Sequence, residues 1–214
     1  MDPKAEHAEN AKPAKCKECE RLLASPPVCD FCKALNPIPA MTDYFSMLGL
    51  PRRYDVDEAQ MHRKFLELNR HAHPDYHAEE STDDQLVALT VSATLNDAYR
   101  TLKDPYLRAT YLLELLGGKS SADDKSVPDR FLGQTMMMQE EIADARAAGN
   151  AGELQRLCGV LVTQQTALMN RVAALFADYP QAVACEAVRK DLLGEIRKQL
   201  NAVSYVKKLI SQLG

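Results

Sequence analysis

Asp57-Glu58-Ala59-Gln60-Met61-His62-Arg63-Lys64-Phe65-Leu66-Glu67-Leu68-Asn69-Arg70-His71-Ala72-His73-Pro74-Asp75 begins as a helix and stops at a proline. Asp57 and Glu58 suit a helix start, where unpaired N–H groups carry partial positive charge. Met61, Phe65 and Leu68 recur at i, i+4 and i+7, so they share one apolar face. Arg63 and Arg70 lie together on the opposite face of a 100° wheel. Pro74 lacks the N–H that a helix needs and drives His73 out of the α region, which ends the helix there.

The pattern on both sides is helical too. Upstream, Tyr44, Phe45, Met47, Leu48 and Leu50 form a short apolar turn closed by Gly49 and Pro51. Downstream, the spacing predicts a helix from about Asp83 to Leu102 with Leu86, Leu89, Ala93, Tyr99 and Leu102 as its stripe. Pro105 opens another helix, carrying Leu107, Tyr111, Leu112 and Leu115 and stopped by Gly117. Gly117 to Ser126 is polar and reads as a loop. Three long amphipathic helices follow. Phe131, Met138, Ile142 and Ala145 line the first, which starts near Pro128 and ends at Gly149-Asn150. Leu154, Leu157, Leu161, Leu168, Val172 and Leu175 line the second, which ends near Tyr179-Pro180. Val188, Leu192, Ile196, Val203, Val206, Ile210 and Leu213 line the third. Short connections between long helices imply antiparallel neighbours, hence a three-helix bundle. No internal repeat and no strand alternation is visible, so the expected fold class is all-α.

Composition narrows the function. The chain has 214 residues, 46% hydrophobic and 26% charged, which suits globular packing and excludes wholesale disorder. No run approaches the roughly 20 apolar residues of a membrane span. A net charge of -4 argues against a general nucleic-acid binder, which must neutralise phosphates. The polar, partly acidic start, Met1 to Asn10, resembles neither a secretory signal nor an Arg-rich transit peptide. The expectation is a cytoplasmic protein in a bacterium, or a mitochondrial matrix protein in a eukaryote whose presequence is absent here. Either compartment is reducing, where clustered cysteines favour metal over disulfides.

Cys16-Lys17-Glu18-Cys19 and Cys29-Asp30-Phe31-Cys32 place two C-x-x-C pairs close together. Four thiolates satisfy a tetrahedral zinc ion and leave no open position, which makes the site structural rather than catalytic. Two disulfides or free thiols in a disordered tail, iron–sulfur ligation and a nucleic-acid-reading zinc ribbon are the competing readings. Cys158 and Cys185 fall near apolar helix positions and read as core-lining thiols.

His73-Pro74-Asp75 alone is weak evidence, because turns after helices often hold Pro and Asp. Its context is specific: Asp43-Tyr44-Phe45-Ser46-Met47-Leu48-Gly49-Leu50 stands before it, and Leu95-Asn96-Asp97-Ala98-Tyr99-Arg100-Thr101-Leu102-Lys103-Asp104-Pro105 after it. This arrangement resembles a J-domain, the module that activates ATP hydrolysis by DnaK-type chaperones. Arg108-Ala109-Thr110-Tyr111-Leu112-Leu113-Glu114-Leu115, the polar loop and the bundle beginning Phe131-Leu132 resemble HscB, the J-type co-chaperone family of iron–sulfur cluster assembly. The tetracysteine segment is similar to the extension of its longer members. The layout implied is a tail at 1–15, a zinc-binding knot and linker at 16–40, a J-domain at 41–118, a linker at 119–127 and a bundle at 128–214.

The resemblance implies that the chain is no enzyme. It implies that His73, Pro74 and Asp75, with Arg63, Lys64 and Arg70, contact a DnaK/HscA-type chaperone. J-domains commonly carry a basic residue after the Asp; here Tyr76 and His77 follow. It also implies that Leu132, Met136, Glu140, Asp144 and Leu193 contact an IscU-type scaffold. Gly133 and Met137 depart from the larger apolar and acidic residues common in the family. A run of three methionines, Met136 to Met138, cannot share one ligand, because consecutive helical residues point three ways. A general J-domain protein delivering other clients is the runner-up, and a redox or metal-transfer enzyme built on the four cysteines the third reading. Sequence alone sets no oligomeric state.

Overall fold

The structure is a computed structural model, and it describes residues 15–23, 27–182 and 185–213. The tail expected at 1–15 lies outside the described residues apart from Lys15. The chain divides into two compact units, Met1–Asp104 and Pro105–Gly214. Among the described residues it is helical, with α1 Tyr44–Met47, α2 Glu58–Ala72, α3 Thr82–Lys103, α4 Pro105–Leu115, α5 Phe131–Ala147, α6 Ala151–Ala182 and α7 Glu186–Leu213. A 3-10 turn, Pro74–His77, lies between α2 and α3. The only β pairing among the described residues is two isolated bridges, Lys15 with Leu22 and Val28 with Leu35.

In the first unit, short polar side chains set where the helices start. Asp43 caps α1 by accepting the N–H groups of Phe45 and Ser46, at 2.9 and 3.0 Å. Burial opposes its charge, but the Ser46 hydroxyl and the Arg52 guanidinium outweigh burial and hold its pKa below the usual carboxylate range. Asp57 caps α2 through the Gln60 N–H, and Ser81 caps α3 through the Asp84 N–H. The core between these helices is Phe45, Met47, Leu48, Met61, Phe65, Ala72, Ala88, Val91, Leu95, Ala98 and Leu102. Phe65 stacks on Tyr99 with ring centroids 4.2 Å apart.

The α3 stripe corrects the sequence reading. Leu86 and Leu89 are 62% and 58% exposed, and Ala93 is exposed as well. The buried line is Ala88, Val91, Leu95, Ala98 and Leu102. Both lines have helical spacing. The face that carries Ala88 and Ala98 is buried as α3 packs against α2, α1 and the Pro74–His77 turn, and that packing settles the rotation of the helix. In α4, Leu107 and Leu115 are exposed, while Ala109, Leu112 and Leu113 are buried.

In the second unit, α5, α6 and α7 pack around Phe131, Ile142, Ala145, Leu157, Leu161, Ala202, Val206 and Leu209. α4 packs on α7 and α6 in the same unit. α5 starts at Phe131 rather than at Pro128, after Arg130 adopts a left-handed φ of 64°. α6 continues past the expected stop to Ala182. Val188 is exposed rather than core-facing, because the buried face of α7 begins at Leu193. Cys185 is exposed too, since it sits just ahead of the first turn of α7, where its carbonyl accepts the Arg189 N–H. Cys158 is half-buried.

Two buried polar residues of α7 hold the loop before the bundle. The Arg197 side chain is 1% exposed, and its Nε donates to the Lys119 carbonyl at 2.7 Å. Asn201 Nδ2 donates to the carbonyls of Asp124 and Ser126, both at 2.8 Å. These bonds replace the water that loop carbonyls would otherwise need.

Candidate functional site

Three candidate sites emerge, and the four-cysteine knot is the most constructed. The Cys16 N–H donates to the Arg21 carbonyl and the Glu20 N–H to the Cys16 carbonyl. One knuckle later, the Cys29 N–H donates to the Ala34 carbonyl and the Lys33 N–H to the Cys29 carbonyl. Glu20 and Lys33 take equivalent left-handed conformations, with φ of 59° and 60°. The segment is therefore a twofold internal repeat, Lys15–Leu22 and Val28–Leu35, where the sequence reading saw none. As letters, Cys16, Cys19 and Leu22 recur as Cys29, Cys32 and Leu35; the rest of the likeness is backbone. Buried Asn36 joins the two knuckles by accepting the Lys17 N–H at 2.8 Å and giving its own N–H to the Pro27 carbonyl.

The four Sγ atoms lie within 4.8 Å of one another. Cys16 to Cys32 is 3.5 Å and Cys19 to Cys29 is 3.6 Å. Ligands about 2.3 Å from a central ion in a tetrahedron stand about 3.8 Å apart, so the cluster has the dimensions of a metal site. None of these cysteines is disulfide-bonded. Burial opposes ionisation of Cys16, yet the N–H groups of Cys19 and Glu18 and the neighbouring thiols outweigh it and lower its pKa to about 6. At Cys32 the Ala34 N–H favours the thiolate, but burial and the three other sulfurs prevail and push the thiol up to about 12. Four sulfurs this close cannot all ionise unaided; a bound cation removes that conflict.

The second candidate is the turn after α2. His73 is extended (φ -66°, ψ 126°), as the following proline requires. Its Nδ1 accepts the Asp75 N–H at 3.3 Å, and its carbonyl accepts the Tyr76 N–H at 3.0 Å. His73, Asp75 and Tyr76 are exposed, Tyr76 at 72%. They line a cavity of about 480 Å³ with Leu66, Asn69 and Arg70. Arg63 and Arg70 are exposed on α2. Lys64 is half-buried and donates to the Gly49 carbonyl, so its ammonium is engaged within the unit. Glu67 pairs with Lys33 of the knot at 3.6 Å. Among the described residues, those lining this cavity include no Ser, Thr, Cys or Lys, and His73 Nδ1 stands 3.6 Å from Asp75 Oδ2.

Sequence reasoning did not single out what steadies this turn. His77 Nε2 donates to the His71 carbonyl at 2.8 Å, and its Nδ1 meets Glu80 Oε2 at 2.8 Å. Gln85 Nε2 donates to the carbonyls of Ala78 and Glu80, both at 3.0 Å. Lys17 Nζ reaches Asp84 at 2.7 Å. These residues are far apart in sequence or ordinary in type, and no spacing rule would have flagged them.

The third candidate lies on α5. Leu132 and Met136 are 53% and 63% exposed, one helical turn apart, and Glu140 and Asp144 continue the same exposed edge. Met137 is exposed as well. Leu193 is 6% exposed and packs in the bundle, so it offers little surface to any partner.

A helical unit whose α2 and α3 flank an exposed His-Pro-Asp turn, a four-thiol knot and a helical bundle are the features of a J-type co-chaperone with a tetracysteine extension. No protein-family model matches the chain. Among curated relatives, the co-chaperone protein HscB homolog of Ralstonia nicotianae is 36% identical over 153 residues, 71% of this chain and 87% of the relative. The homolog of Burkholderia multivorans is 34% identical over 148 residues, 69% of this chain and 85% of the relative. The human HscB crystal structure superposes with a TM-score of 0.74 at 23% identity, covering 93% of this chain and 96% of that one. HscB from Vibrio cholerae gives 0.65 at 28% identity, covering 80% and 95%. The chain belongs to the HscB family of co-chaperones, the family its sequence resembles. Among the described residues, no helix is long and apolar enough to cross a membrane.

Proposed function

We propose that this chain stimulates the ATPase of a DnaK/HscA-type chaperone and delivers to it an IscU-type scaffold carrying a nascent iron–sulfur cluster. The observation that carries this reading is the exposed His73-Pro74-Asp75 turn beside the basic face of α2, in a chain of this family. A turn that is rigid inside and exposed outside suits recognition rather than covalent chemistry. Asp75 offers an acceptor to a chaperone cation or N–H. His73 fixes the Asp75 backbone from within, and Pro74 removes conformers that would otherwise be lost on binding. Arg63 and Arg70 speed encounter with an acidic chaperone surface.

The scaffold would dock on Leu132 and Met136, with Glu140 and Asp144 pairing to basic groups at the rim. Exposed methionine adapts to an irregular partner. Joining both grips in one chain raises the effective concentration of scaffold at the chaperone. Zinc is the ion that four closely spaced thiolates fit best, and Cys16, Cys19, Cys29 and Cys32 would hold it. It would supply folding energy to the knot and take no part in hydrolysis.

The test is single-turnover ATP hydrolysis by a cluster-specific DnaK-type chaperone, with wild type and His73→Gln, each with and without scaffold. Wild type accelerates hydrolysis, scaffold adds synergy, and His73→Gln falls back to the basal rate. Acceleration without synergy points to another client; no acceleration sinks the reading.

A further inference from the structure

The knot and the His-Pro-Asp turn belong to one compact unit, and Lys17 reaches from the knot to Asp84, at the end of the segment that the turn opens. Lys17 lies between two thiols, Cys16 and Cys19, and its N–H is bound by buried Asn36 at 2.8 Å. Knot order therefore fixes where Lys17 stands. Its ammonium meets Asp84 Oδ1 at 2.7 Å. The other oxygen of Asp84 accepts the Ser81 hydroxyl at 2.6 Å, and Ser81 Oγ accepts the Asp84 N–H at 3.2 Å. Lys17 thus grips the cap that starts α3, which is the downstream end of the segment opened by His73.

The upstream end is held from inside by His77 on the His71 carbonyl, and the middle by Gln85 on the carbonyls of Ala78 and Glu80. Lys17, Leu35, His77, Glu80, Asp84 and Val87 line one cavity of about 280 Å³, so knot and loop face each other directly. Val28 and Leu35, the bridged pair of the second knuckle, are buried, and Lys33, which lines the same cavity, makes a second ion pair with Glu67 of α2.

We propose that the tetracysteine knot is an outer brace of the His73-Pro74-Asp75 turn, with Lys17 as the positioning residue that carries knot order to residues 73–84. This deepens the proposed role of the turn by giving the metal site a part in presenting it. The ion pair is partly exposed on both sides, so its effect is graded rather than all-or-none. Metal at the four thiols keeps both flanks of Lys17 in place. Without it, the lysine loses its anchor and the segment from 73 to 84 opens more often.

Hydrogen exchange of the full chain tests this without any chaperone, so failure of the ATPase reading leaves the result standing. Lys17→Met should retain its metal by elemental analysis and yet exchange amides 73–84 roughly two- to five-fold faster than wild type, with the bundle unchanged. Lys17→Arg should restore protection. Glu67→Gln, which removes the other charge pair from its α2 end and leaves the cavity lining intact, should leave 73–84 as in wild type. Stripping the metal with a chelator should speed the same segment at least as much as Lys17→Met does. Unchanged exchange at 73–84 in metal-loaded Lys17→Met, or after chelation, overturns the proposal.

Discussion

Tyr76 stands directly after Asp75 and is largely exposed, with its ring edge-on to His73 at 6.1 Å. An aromatic here offers contact area but no charge. Restoring a cation should help encounter more than residence, because exposed charges act mainly on approach. Tyr76→Lys should raise the chaperone on-rate roughly two- to five-fold at low salt, and the gain should fade as ionic strength rises. Stopped-flow binding across a salt series measures both. His77 follows, with a pH signature of its own. Burial opposes its charge, but the His71 carbonyl and the Glu80 carboxylate outweigh it, with Asp84 adding, and its pKa lies above the usual histidine value. Lys17 and Lys33 from the knot share its cavity. A raised folded pKa means stability that is complete below about 6.5, the ordinary histidine pKa, and is lost as pH rises through the folded value. NMR titration should find the His77 ring changing charge above the ordinary histidine pKa, and His77→Gln should flatten the pH dependence of exchange protection at 74–84.

At the scale of elements, α2 and α3 were unequally legible. Met61, Phe65 and Leu68 are large and spaced on one face, so the period alone revealed the buried side. α3 carries leucines on one line and Ala88, Val91, Leu95 and Ala98 on another, and hydrophobicity favoured the wrong one. Close packing prefers small residues where helices touch, which no single-helix period reports. The consequence is measurable by denaturant unfolding. Leu89→Ala should stay within about 0.5 kcal/mol of wild type, whereas Leu95→Ala should cost about 2–5 kcal/mol. The cysteine pairs were plain, since ligand spacing is local, but Asn36, Arg197 and Asn201 were not. A buried polar residue looks like any surface polar residue until its partners are known. Asn201→Ala leaves the carbonyls of Asp124 and Ser126 without a donor and should cost about 1–3 kcal/mol.

For the whole molecule, the important fact is that each compact unit has its own core. Phe45, Met61, Phe65 and Leu95 are buried in the first unit, and Phe131, Leu157, Leu161 and Val206 in the second. The proposed chaperone grip lies on the first unit and the proposed scaffold grip on the second. Damage to one core should then reach one activity before the other. Leu161→Ala removes a fully buried side chain of the bundle and should lower bundle stability by about 2–5 kcal/mol. Phe65→Ala also removes the stacking on Tyr99 and should cost the first unit about 3–5 kcal/mol. At temperatures where the damaged unit is partly unfolded, Leu161→Ala should bind scaffold weakly while still accelerating basal ATP hydrolysis. Phe65→Ala should capture scaffold normally and fail to stimulate. Titration calorimetry with scaffold and single-turnover ATPase, run on the same preparations, separate the two. If both variants lose both activities in parallel, the grips share one cooperative unit, and the two-handed mechanism gives way to a single composite surface.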